Sequence, residues 1–351
     1  MKKELDFKFL PTGIGSVPFL NVEDTCRNLL GIFPDIPFWP QFVQLSPFED
    51  MTFQASQGLP FIKTNYDQGS IYIHYSSENK DSELISFYEH FLSEDTDYFA
   101  ISPEYAAGLY KLLELIDKSP KSYGPYIKGQ IVGPITLAGI LKDITGRSVL
   151  YNNEIMDTIV KGLAIKALWI VKKMSTINKR VIIFIDEPYL SGFGSAFTPI
   201  QREEVIKSIK EVIDYIKSRS DALIGIHCCG NTDWAMIIDT GVDIVSFDAF
   251  GYMDYFLLYK NDIIKFLEGE GIIAWGAVPT ASFSGEENVN HLKMRLEKGL
   301  KILYKWGIDW DTITKQSILT PACGLGTLES DKAGKVLKFL SSLSCLMSDI
   351  V

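Results

Sequence analysis

Apolar and polar positions alternate in a regular way along the second half of the chain. The run at 180–188, RVIIFIDEP, is continuously apolar until two acids and a proline stop it, the pattern of a parallel strand buried on both faces. In the stretch after it, Val205, Ile209, Val212, Ile213 and Ile216 recur at helical spacing. They predict an amphipathic helix, with Thr198 as a cap and Pro199 in the first turn. The alternation then repeats: a strand at 222–227 with a helix opening near Asn231, a strand at 242–247 with helical residues to about Glu268, and a strand at 271–278. A Ser284/Glu287 capping box opens a helix over 285–304, 316–321 reads as the last strand, and a helix from about Glu329 to Leu346 closes the chain.

The first half is less regular. Residues 11–18 read as a strand ending in a glycine turn, followed by a helix around 22–31, a second strand at 37–45 and a third at 123–134. Helical residues follow from about 135, with a long helix near 152–177. Between them, 48–118 hold a hairpin-like piece (60–75) and two helices (82–93 and 103–117), which reads as an insertion over the barrel mouth. Strands centred near 13, 40, 129, 183, 225, 245, 274 and 318, alternating with helices, predict an α/β fold of the (β/α)8 TIM-barrel type. With no repeat or low-complexity linker visible, 1–351 is expected to be a single domain. An open doubly wound sheet is the alternative, but no GxGxxG follows a strand to support a dinucleotide-binding version.

Composition narrows the function classes. The 351 residues are 46% hydrophobic and 22% charged, ordinary for a globular chain. A net charge of −10 with no basic stretch argues against nucleic acid, because phosphate contact needs clustered Lys and Arg. No long apolar run suggests a membrane span, and the N-terminus lacks the apolar centre of a signal peptide, so a cytoplasmic location is expected. The cysteines, Cys26, Cys228, Cys229, Cys323 and Cys345, are too few and odd in number for a disulfide framework.

A barrel gathers the residues just after its strands on one face. Those residues are Gly15 and Ser16, Asp186 and Glu187, His227 with Cys228 and Cys229, Asp248, Thr280, and Cys323. In an extended segment, His-x-Cys puts His227 and Cys229 on the same side and turns Cys228 away. Imidazole and thiolate donors favour zinc over magnesium or calcium, and Cys323 is the third candidate ligand if the strands close as predicted. Spacing alone leaves a second reading open, in which each cysteine is a small buried hydrophobe. Cys26 and Cys345, on helical patterns, take that reading, and Cys228 goes with them. An adjacent Cys228–Cys229 pair also lacks the CxxC spacing of a redox motif. His74, His90 and His291 sit in polar or amphipathic surroundings and read as surface or structural residues. Asp186 and Glu187 either grip an amine or cap a neighbouring segment, and the glycine turn at 13–16 offers N–H groups suited to a carboxylate.

Six segments, in order, resemble the catalytic barrel of cobalamin-independent methionine synthases and their relatives. They are GIGSVPF (13–19), GQIVGPITL (129–137), IDEP (185–188), GIHCCGNTD (225–233), VDIVSFD (242–248) and TPACGLGT (320–327). The wider group includes uroporphyrinogen decarboxylase and zinc methyltransferases that work with corrinoid proteins. The resemblance implies a zinc ion held by His227, Cys229 and Cys323, with Asp248 where the family has a further glutamate ligand. It also implies that Ser16 and Asp186, with Gly15 and Glu187 beside them, hold the thiol substrate. The implied activity is methyl transfer to a zinc-activated small thiol of the homocysteine kind, from a folate, a methylcorrinoid protein or another methyl carrier. Two departures stand out: 274–282 lack the family's histidine after the seventh strand, and the acidic segment that helps hold homocysteine's amino group has no match. The HCCGN and WGAVPT segments look closer to the decarboxylase-like and corrinoid methyltransferase branch. The other readings are a zinc- or thiol-binding barrel without methyl transfer and a decarboxylase-like lyase, although the decarboxylases proper use no His–Cys–Cys metal set.

Overall fold

The computed structural model describes residues 6–65, 69–76, 78–195 and 200–348. Nine strands lie among them: β1 (Leu10–Pro11), β2 (Ile62–Asn65), β3 (Ser70–Ile73), β4 (Tyr126–Val132), β5 (Arg180–Asp186), β6 (Leu223–Cys228), β7 (Ile244–Phe247), β8 (Ile272–Val278) and β9 (Ser317–Pro321). Seven form one curled parallel sheet in the order β1-β9-β8-β7-β6-β5-β4, and β2 and β3 form a separate antiparallel hairpin. The predicted 180–188 run is β5, buried at six of its seven positions, as expected of a strand covered on both faces.

The sheet bounds two apolar cores. One fills the inner side of the curl and draws Phe7, Ile14, Tyr126, Phe184, Leu223, Ile244, Ile272 and Ile318 from nearly every strand or its flank. The other lies between the sheet and its helices, where Val205, Ile209, Val212, Ile213 and Ile216 are buried on one stripe of helix Arg202–Lys217. Register sets the level of the polar residues. Val132 pairs with Asp186, Asp186 with His227, and His227 with Ser246, so one layer near the C-terminal ends of β4 to β7 carries all of them.

The second expected strand is where local chemistry overrides the pattern. Residues 37–41 make two isolated parallel bridges, Ser16 to Gln41 on one side and Phe38 to Lys128 on the other. Backbone bonds Val17 N–H to Gln41 O (2.9 Å), Gln41 N–H to Gly15 O (3.0 Å) and Trp39 N–H to Lys128 O (2.9 Å) join the β1 flank to β4 through this segment. Pro37 and Pro40 have no N–H to give, so bridges form but no continuous ladder. The first expected strand is likewise cut short, to Leu10–Pro11.

Helix starts differ from the sequence reading in two places. Thr198 and Pro199 lie outside the described residues, and the helix after β5 runs from Arg202, with the Glu204 carboxylate accepting the Gln201 N–H at 3.3 Å. Ser284 and Glu287 do pair, the Glu287 carboxylate accepting the Ser284 and Gly285 N–H groups at 2.7 and 2.8 Å. That pairing closes a turn ahead of the helix. The helix itself is Val289–Lys305, capped by the Asn288 side chain on the Asn290 N–H. The insertion contains the β2–β3 hairpin and helices Met51–Ser56, Lys80–Leu92 and Ala107–Asp117. The fully buried Lys166 of helix Asn153–Ser175 anchors it, donating to the carbonyls of Gln57 (2.6 Å) and Phe99 (2.8 Å). Among the described residues, no helix is long and apolar enough to cross a membrane.

Candidate metal centre

β6 delivers His227 and Cys228, with Cys229 directly after it, and β9 is followed at once by the loop bearing Cys323. One ligand atom from each of His227, Cys229 and Cys323 lies within 4.8 Å of the others. No other His, Cys, Asp or Glu trio among the described residues converges in this way. Strand alternation explains the split within the cysteine pair: Cys228 is fully buried against the outer core, and burial pushes its thiol up to about 12.

The imidazole is held from behind. His227 Nδ1 lies 3.0 Å from the Ser246 hydroxyl, while Nε2 is buried and makes no well-formed hydrogen bond. A buried ring nitrogen without a partner is costly unless something else occupies it. The sulfurs have the complementary problem. Cys229 is drawn toward its thiolate by the neighbouring Cys323 thiol and then by His227, whereas Cys323 is pushed up by the same contact and by burial. One proton leaves easily and the second does not. Two unit charges about 4 Å apart repel by roughly 4 kcal/mol at an effective dielectric of about 20, and a cation between the two sulfurs would offset that repulsion. An open nitrogen and two coupled thiols form a soft N/S donor set, and these residues fit zinc.

Asp248 stands outside that trio. Its Oδ1 accepts the Gly251 N–H at 2.7 Å and caps helix Ala249–Phe256, and burial raises its pKa. Asp186, paired with His227 in the ladder, is buried, and its Oδ1 has no partner. Burial raises the Asp186 carboxyl, against the pull of His227 and Lys128. Glu187 faces elsewhere. Its carboxylate accepts the N–H groups of Ile135 (2.9 Å) and Thr136 (2.8 Å) and the Thr136 hydroxyl (2.6 Å), capping helix Pro134–Ile140, and burial raises its pKa to about 7. Of the two readings the sequence left for these acids, Glu187 shows the capping one. Gly15 packs against Gln41 and Gln130. Ser16 is half-buried and meets the Cys323 loop: Leu325 N–H donates to Ser16 O at 2.9 Å and Gly326 N–H to Ser16 Oγ at 3.3 Å. Thr280 is buried just past β8.

Two contributors escaped the sequence reading. Ser246 is the one polar residue of β7 and pairs with His227 across the ladder, and a lone hydroxyl in an apolar strand run was its signal. Lys128 is a completely buried lysine of β4 whose ammonium donates to the Ile14 carbonyl and to Gln130 Oε1 (3.2 Å) and lies 4.4 Å from the Phe184 ring centre. Its signal is a lone charge in a strand sequence with no other charged residue.

No family model matches the chain. Over 217 residues it is 27% identical to a curated methionine synthase of Methanocaldococcus jannaschii, a match covering 60% of this chain and 62% of the relative, less than two thirds of its length. Among solved structures, a B12-independent methionine synthase from Shewanella sp. W3-18-1, in complex with selenomethionine, superposes with a TM-score of 0.54. That alignment covers 96% of this chain and 97% of the other at 16% identity, a likeness of fold. The chain is thus similar to methionine synthases, in sequence over part of its length and in fold over nearly all of it.

Proposed function

We infer that the chain is a zinc-dependent methyltransferase that moves a methyl group to a small thiol of the homocysteine kind. The observation that carries this reading is the convergence of His227, Cys229 and Cys323 with a buried, unpartnered imidazole nitrogen. His227, Cys229 and Cys323 would hold the metal, and Asp248 is within reach of the reading as a further ligand only if it leaves its cap. Zinc bound there would supply Lewis acidity that keeps a substrate thiol ionised at neutral pH. Ser246 engages Nδ1 of His227 and leaves Nε2 for the metal, with which the ring would carry its proton on Nδ1 and donate it to the Ser246 hydroxyl. Asp186 offers a desolvated carboxylate oxygen to the ammonium group of an amino-acid thiol, where a charge-assisted bond is strong because water is excluded. Gly15 and Ser16, beside the Cys323 loop, would offer backbone N–H groups to the carboxylate end. The bridges through 37–41 support a reading of the curled sheet as an eight-stranded barrel, in a single domain, with these groups at its C-terminal face.

The test is metal analysis followed by a donor screen. Purified protein is expected to carry zinc in equimolar amount and to lose it on Cys229→Ser or Cys323→Ser substitution. Unchanged metal content in both variants would overturn the reading. Methyltetrahydrofolate, methylcobalamin and a methylcorrinoid protein, each offered with homocysteine, then identify the donor by methionine formation. No product from any donor in zinc-loaded protein would remove methyl transfer from the reading.

A further inference from the structure

The glycine loop after β9 carries Cys323, and what holds that loop has no place in the reading above. Three bonds dock it, all from the first strand's flank and the segment beside it. Leu325 N–H donates to Ser16 O (2.9 Å), Gly326 N–H to Ser16 Oγ (3.3 Å), and Gln44 Nε2 to Gly326 O (2.8 Å). The fit is close. A Cβ on Gly324 would sit 2.2 Å from Ser16 Oγ, and one on Gly326 would sit 2.4 Å from Val43 Cγ2 and 3.1 Å from Ser16 Cβ. Neither glycine has a positive φ, so their presence answers to the approach of Ser16 and Val43 and not to backbone conformation. Cys323 precedes this docked loop by one bond, and its partners His227 and Cys229 come from β6, three strands away around the sheet.

We propose that Ser16 is a positioning residue for Cys323, its hydroxyl and carbonyl fixing the 324–326 loop so that the thiol stands beside His227 and Cys229. The inference rests on the metal-centre reading of those three residues and gives Ser16 a task separate from holding substrate. A methyl group on Gly324 forces the Ser16 hydroxyl to turn away from the Gly326 N–H. Gly324→Ala and Ser16→Ala therefore break the same contact by two routes, and their effects on metal affinity are not additive.

The experiment titrates zinc-free full-length protein with cobalt(II), which reports its ligands through visible ligand-field bands and a near-ultraviolet thiolate-to-cobalt band. Ser16→Ala and Gly324→Ala are each expected to weaken cobalt binding by about tenfold, the scale of outer contacts to metal ligands, and to dim the thiolate band. The double variant is expected to match the weaker single one, within about threefold, instead of multiplying the two losses. Asn288→Ala, which removes a helix cap far along the chain, lowers thermal stability and serves as the control for a merely structural effect; its cobalt spectrum is expected to stay as in the parent. Multiplying effects in the double variant, or parental cobalt affinity in Ser16→Ala and Gly324→Ala, would overturn the positioning role while leaving the metal centre standing. A parent protein that binds no cobalt would overturn both.

Discussion

Asp186 Oδ1 is buried and makes no hydrogen bond, an expensive state for a carboxylate oxygen unless a ligand completes it. A hydrogen bond to a charged partner contributes about 1.5–3 kcal/mol, so Asp186→Asn is expected to weaken homocysteine binding by roughly tenfold to a hundredfold. The same variant should bind 4-mercaptobutyrate, which keeps the thiol and carboxylate but lacks the amine, about as the parent does. Calorimetric titration of both thiols into zinc-loaded protein checks this, and equal losses for both would remove Asp186 from the ammonium's place. At this scale the sequence was legible where strand parity alone decides: the alternation in 227–229 separates Cys229 from Cys228 before any tertiary contact is known. Cys323 needed the topology, since nothing local joins it to residue 227. The turned-away carboxylate of Glu187 was illegible for a related reason, because its partners Ile135 and Thr136 lie more than fifty residues away, and the role of Lys128 was hidden the same way, since its ammonium reaches the Ile14 carbonyl on the far flank of β1.

Among the elements, helix Ala107–Asp117 shows how a buried acid can replace a local cap. Its N-cap Ala106 has no side chain to offer, and Glu49 from the far side of the insertion accepts the Ala107 N–H at 2.6 Å and the Phe42 N–H at 3.2 Å. Burial pushes the Glu49 pKa up from 4.5 to about 7. The folded state then keeps a proton that the unfolded chain has already released, so the contribution of Glu49 is full below about pH 4.5 and falls as pH rises to about 7. Urea unfolding between those limits is expected to show that decline, to which Glu187, raised over the same range, also contributes, and Glu49→Gln should make it shallower while costing about 1–2 kcal/mol for the poorer acceptor. An equally steep decline in the variant would assign the pH dependence to another group. The same helix presses on the 37–41 segment, where a Cβ on Gly108 would lie 1.9 Å from the Pro40 carbonyl oxygen. Backbone cannot swing aside as a side chain can, so Gly108→Ala is expected to cost about 1–3 kcal/mol in unfolding free energy, read from the same urea midpoints. Strands β4 to β9 and the helices between them were readable because buried apolar runs and helical stripes each have a single solution there. The first two strands were misjudged in extent because a strand is completed by its neighbours, and prolines at 37 and 40 deny the neighbours their bonds.

For the whole molecule, the inner core takes residues from the flank of β1 through to β9, and the outer core runs unbroken from Phe9 to Met347. Such a body should unfold as one unit. Differential scanning calorimetry is expected to give a single transition whose calorimetric and van't Hoff enthalpies agree, and two separable transitions would divide the chain into domains. The overall α/β alternation was the most legible feature of all, since it needs only periodicity. The curl of the sheet was an inference from strand number. The joint between its two ends has a consequence for how the chain tolerates growth. Within the regular ladders of β4 to β8 an added residue would shift the register and turn later side chains to the wrong face. At 37–41 there is no continuous ladder to shift, only isolated bridges. The longest excursion of the polypeptide, 48–118, leaves the sheet immediately past that joint: the molecule carries its added length at the place where register is cheapest to keep.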